Sequence, residues 1–271
     1  MKTTNPVLAG LGQAAERERS AGYAPTGPYG APGIPQQYPT QAGYPAAPPT
    51  VAPMSFDDVV VKTVALLAIL GVSAAAAWVL VPDSLVGAAW IGALVVTLAL
   101  GMIISFSRMA NPALIIVYAI VEGVLVGMVS KAFETAYDGI VLQAAVASFG
   151  IFFLMTILYK ARVIRATPAF VKGLVAVIAG LFAVMLINLV LALFGVNTHL
   201  RDGSKLAIGF SLVCIVVAAL SFVLSFKEIE DGVRMGLPQR YSWVAAFGIL
   251  VSVVWLFFEL LRLLSYFQGD D

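Results

Sequence analysis

The chain has 271 residues, 61% of them hydrophobic, with 16 basic and 15 acidic side chains and a net charge of +1. Ordinary soluble domains carry about 25% charged residues, so 11% charge with a mean hydropathy of +0.96 describes an integral membrane protein. The balanced charge gives no basic face for nucleic acid, and one cysteine (Cys214) with one histidine (His199) excludes a disulfide framework, cysteine-based zinc and His-rich metal sites.

Residues 1–57 hold ten of the fourteen prolines and four of the nine tyrosines. Proline fixes φ and removes a backbone donor, and the stretch has few apolar side chains to bury, so a disordered cytoplasmic tail is expected, with a short helix near 10–20. It lacks the apolar run of a secretory signal. From 58 to 267 the composition predicts an all-α bundle of seven transmembrane helices, at 59–81, 85–106, 112–130, 140–159, 171–194, 205–226 and 241–264. Each stretch is long enough to cross about 30 Å of hydrocarbon at about 1.5 Å per residue. Pro82, Pro112, Pro168 and Pro238 all fall in connections or at a first helical position, where a missing N–H costs little.

The basic residues set the orientation. With the N-terminus inside, Lys2, Arg17, Arg19, Lys62, Arg108, Lys160, Arg162, Arg165, Lys172, Lys227, Arg234 and Arg240 collect on the cytoplasmic side. Only Lys131, Arg201, Lys205 and Arg262 fall outside. The excess predicts a cytoplasmic N-terminus and an external C-terminus.

Ionisable residues inside a span are costly unless paired or hydrated, so each is a candidate for function. Glu122 lies eleven residues after Asn111, near the midplane of the third helix, followed by a Gly123/Gly127 step that admits a close helix neighbour. It reads either as a proton- or cation-sensing carboxylate or as a helix-holding acid partnered by Asn188. On the seventh helix Ala245, Gly248, Ser252, Trp255, Glu259 and Arg262 share one face. Glu259 and Arg262 there are either an interfacial ion pair or part of an ion path. The sixth helix carries Cys214, Ala218, Ser221, Ser225 and Glu228, then Lys227, Glu230, Asp231 and Arg234. That run reads as an acidic gate or as a solvated helix end, and Cys214 as a small buried hydrophobe.

Enzyme chemistry is not expected. A membrane Ser–His dyad needs a histidine within a span, and His199 sits in a connection; Asp138 has no second membrane aspartate; the seventh helix has no lysine for a Schiff base. No cofactor is expected.

Three strings, NPALIIVYAIVEGVLVG, IEDGVRMGLPQRYSWVAAFGILVSVVWLFFELLRLL and the opening MKTTNPVL, resemble the Bax inhibitor 1 superfamily, most closely its bacterial YccA-like branch in the form common among actinobacteria. The resemblance implies seven helices around a central, polar seventh helix. It implies a pH-sensitive calcium leak, with calcium as the transported ion, and a place in the bacterial plasma membrane. Eukaryotic members suppress cell death, and a bacterial relative restrains a membrane-embedded AAA protease. Calcium-leak relatives pair one aspartate on the sixth helix with one on the seventh as a shared-proton latch. Here the seventh-helix position falls on Ser252, and the sixth-helix position near Ser225 or Lys227. Glu228 and Glu259, at opposite ends of their helices, cannot replace that latch; the resemblance instead implies Glu122 as the sensor, since family members also tend to carry a glutamate there. A pH-sensitive cation leak is therefore one expected function. The other is a non-conducting modulator of a membrane-embedded AAA protease or another membrane assembly, bound through the tail.

Overall fold

The computed structural model describes residues 52–106, 111–164, 166–195 and 203–269. The tail up to residue 51, with its expected short helix, lies outside the described residues, as do Arg108, Arg165, His199 and Arg201.

Among the described residues seven α-helices follow in chain order: α1 (Phe56–Leu80), α2 (Val86–Phe106), α3 (Pro112–Ala136), α4 (Ile140–Lys160), α5 (Pro168–Leu193), α6 (Lys205–Arg234) and α7 (Ser242–Gln268). Each is long and apolar enough to cross a membrane. The all-α, seven-helix architecture is therefore as the sequence predicts. Short 3-10 turns occupy Asp83–Leu85 and Gln239–Tyr241.

Local chemistry sets the helix starts. Ser55 and Asp58 form a reciprocal capping box on α1, with Asp58 N–H donating to Ser55 Oγ at 3.1 Å. Asn111 Oδ1 accepts from Ala113 N–H at 3.0 Å while Pro112 takes the first helical position of α3. Pro168 does the same for α5, which therefore begins three residues earlier than its apolar run. Gly139, at φ +77°, turns the chain into α4, and the Glu134 carboxylate accepts from the N–H groups of Gly139 and Val141 at 2.8 and 3.0 Å.

Three helices outrun their apolar stretches. α3 continues to Ala136, α7 to Gln268 and α6 to Arg234. At 30 residues α6 is about 45 Å long, well beyond about 30 Å of hydrocarbon. Hydropathy marks where lipid ends, whereas a helix ends where its side chains stop supporting it. Residues 52–57, grouped with the tail by composition, likewise belong to the folded bundle: Met54 is buried and α1 is under way at Phe56.

α7 is the central helix and packs against α1, α3, α4 and α6. Its Leu250, Leu256 and Leu261 are fully buried. α2 leans chiefly on α3 and α5 on α6, so these two form the rim. Val79, Phe106, Leu142 and Phe182 face outward; between helices in lipid, burying apolar surface no longer drives association and shape decides it. Gly123 and Gly127 supply that shape, bringing the α3 backbone against Leu70, Ser73 and Ala74 of α1. Ser73 Oγ donates to the Ile120 carbonyl across this contact at 2.7 Å. Phe152 of α4 packs edge-on to Phe222 of α6, with Phe226 and Tyr159 continuing the cluster. Lys131 reaches the free carbonyl of Val81 just past the end of α1, where the helix dipole favours a cation.

Candidate functional site

The polar faces predicted for α6 and α7 meet. Their small residues allow close approach, and three polar groups of contacts lie along the seam. In the middle, Ser221 Oγ and Ser252 Oγ are 3.0 Å apart. Ser221 Oγ also lies 2.6 Å from the Ala218 carbonyl, and Ser252 Oγ lies 3.0 Å from that of Gly248. Two hydroxyls carry two protons for these three contacts, so the pair has alternative hydrogen-bond arrangements. Ser225 lies one turn nearer the Arg234 end, facing Gly248, with its Oγ at a marginal 3.5 Å from the Ser221 carbonyl. The partner of Ser252 is thus Ser221, while Ser225, which with Lys227 marks where the resemblance implies the sixth-helix latch, stands one turn further along α6.

At one end of the seam Glu259 is 2% exposed and accepts from Arg262 Nη1 at 2.9 Å and from Ser211 Oγ at 3.4 Å. The carboxylate is enclosed, whereas Arg262 keeps some exposure. At the other end Lys227 pairs with Asp231 at 2.9 Å and Arg234 with Glu230 at 2.6 Å. Tyr159 also donates to Glu230, at 2.8 Å, fastening α4 to this part of α6. The charged run is therefore a helix end laced by i,i+4 pairs, with Glu228 exposed upon it. Ser211, the contact of Glu259, precedes Glu228 by 17 residues on α6, about 25 Å along the helix. Glu228 and Glu259 do not meet.

Glu122 is a third, separate place. It is 5% exposed, ten residues into α3, and Ser252 is likewise ten residues into α7. The hydroxyls beside it are those of Tyr118, one turn back on α3, and Thr97 of α2. Thr97 Oγ1 also lies 2.6 Å from the Ala93 carbonyl, and among the described residues Glu122 Oε2 has no hydrogen-bond partner. α5, which carries Asn188, has its main packing against α6, so the polar neighbours of Glu122 come from α2 and α3 instead. Tyr118 also meets Phe247 of α7 edge-on at 4.8 Å. A path of direct contacts thus leads from Glu122 through Tyr118 to the α7 turn that bears Gly248.

Sequence reasoning passed over Thr97, Tyr118 and Ser211. Tyr118 was legible as the residue four before Glu122, and Ser211 extends the Cys214, Ala218, Ser221 face by one step. Thr97 offers no such signal, because it lies on another helix. Among the described residues no cluster of three or more His, Cys, Asp or Glu side chains forms a metal-sized site.

A family model described as Bax inhibitor 1 like matches residues 5–269. No curated protein matches the chain.

Proposed function

The chain belongs to the Bax inhibitor 1 like family, and from that premise we propose that it is a pH-sensitive cation leak, carrying calcium, in a bacterial plasma membrane. The observation carrying this reading is the α6–α7 seam, which sets hydroxyl and charged groups from Lys227 and Asp231 through Ser225, Ser221 and Ser252 to Ser211, Glu259 and Arg262. Such a line gives a partly dehydrated cation oxygen atoms at successive depths once the helices part. Glu122 is the sensing carboxyl in this proposal, and Tyr118 and Phe247 relay a change in its charge to α7. The reading includes the YccA-like branch, to which the sequence strings are similar, and a cytoplasmic N-terminus with an external C-terminus, an orientation the basic residues favour. No enzymatic step or cofactor enters the mechanism.

The test is calcium flux into liposomes carrying the purified protein, across the neutral pH range, with Glu122→Gln and Ser252→Leu beside it. The proposal expects pH-dependent flux, loss of that dependence in Glu122→Gln, and loss of flux when leucine fills the seam. Flux no greater than in empty liposomes refutes the leak. The protein is then a non-conducting modulator of a membrane protease or similar assembly, and removing residues 1–51 should abolish capture of that partner.

A further inference from the structure

The segment leading into α1 is bound to the α6–α7 connection, and we propose that this strap, residues 52–55, holds shut the end of the α6–α7 seam nearest Arg234. Pro53 and Pro238 face each other as an isolated antiparallel bridge. Met54 N–H donates to the Leu237 carbonyl at 2.7 Å, and Gln239 N–H to the Ala52 carbonyl at 2.8 Å. These bonds flank the proline pair, which occupies the register position where opposed residues exchange no hydrogen bonds. Neither ring therefore costs the bridge a bond.

Side chains turn the bridge into a clasp. Met54 is 4% exposed and lies against Gly232 of α6 and against Leu237. A side chain at 232 would occupy the space next to the Met54 sulfur, 3.3 Å from a Cβ there. Gln239 is held at three points: its N–H by Ala52, its carbonyl by Lys62 Nζ at 3.1 Å and its amide by Asp58 at 2.6 Å. Lys62 also sits over the Trp243 ring of α7. The strap and first turns of α1 thus grip α6, the connection and α7 together. Ser225 lies two turns of α6 from Gly232, so this end of the seam cannot splay while the strap is seated. This inference does not depend on whether the seam conducts.

The experiment follows the labelling rate of a Ser225→Cys thiol by a water-soluble maleimide, in a Cys214→Ala background and in detergent. It compares the full chain, deletion of 1–51, deletion of 1–54, and the full chain with Met54→Ser and Gln239→Ala. Deletion of 1–51 keeps the strap and should label like the full chain. Deletion of 1–54 and the double substitution should each label about tenfold faster, as local opening becomes easier. The double substitution keeps every backbone atom in place, so the test stands if the longer deletion fails to fold. Unchanged labelling in the double substitution overturns the proposal, as does a full rise already on deletion of 1–51.

Discussion

Gly127→Ala tests how the bundle is held together. A Cβ at Gly127 would overlap the Ala74 carbonyl oxygen and lie 3.0 Å from Ala74 Cα, whereas ordinary contact begins at 3.4 Å. The atoms it meets are backbone, which cannot rotate away, so α1 and α3 must separate. Overpacking of this kind costs about 1–3 kcal/mol. Separation also loosens the Ser73–Ile120 hydrogen bond, and interhelical bonds in membranes average about 0.6 kcal/mol. Alanine returns up to about 1 kcal/mol of helix propensity. The net loss is about 2 kcal/mol, roughly a thirtyfold shift in the unfolding equilibrium. Gly150 is the control, because a Cβ there meets nothing within 4 Å; Gly150→Ala should be neutral or stabilising. Reversible unfolding in mixed micelles, followed by circular dichroism, reads both. If Gly127→Ala is as stable as Gly150→Ala, the close α1–α3 contact is not what holds these helices.

Two further pairs of substitutions probe the seam. Arg262→Met leaves the enclosed Glu259 carboxylate without its cation and should cost about 3–5 kcal/mol; adding Glu259→Met should recover most of that loss, and if the double variant is no more stable than the single, the pair is not the source. For Ser221→Ala and Ser252→Ala, a double-mutant cycle should give a coupling of about 0.6 kcal/mol; strictly additive losses would mean the two hydroxyls bond only to their own helices.

Segment length and proline placement made the seven helices legible, because lipid imposes a minimum apolar length and leaves few other structures open. The polar faces of α6 and α7 were legible too, since residues three and four apart share a face. What periodicity cannot supply is the pairing between faces: it does not show that Ser221 is the residue that meets Ser252, or that Tyr118 and Thr97 are the hydroxyls beside Glu122. Helix ends were misjudged for a related reason. Glu230, Asp231 and Arg234 lie beyond the apolar stretch that ends at 226 yet extend α6, the solvated helix end that was one of two readings of this run, since i,i+4 pairing and Tyr159 support the helix. Residues 52–55 were grouped with the tail on their proline content, and only the facing Pro238 shows that such a proline costs nothing here.

The enclosed position of α7 also governs assembly. It is the last of the seven helices to leave the ribosome, yet it fills the space against which α1, α3, α4 and α6 pack. Until it arrives, Leu66, Ile115, Ala144 and Phe222 belong to a ring without a hub. The Pro53–Pro238 bridge, joining positions 185 residues apart, likewise waits for residue 239, just ahead of α7. Closure of the core therefore waits for residues 242–268, and a chain ending before residue 242 would lack the helix that the other four pack against.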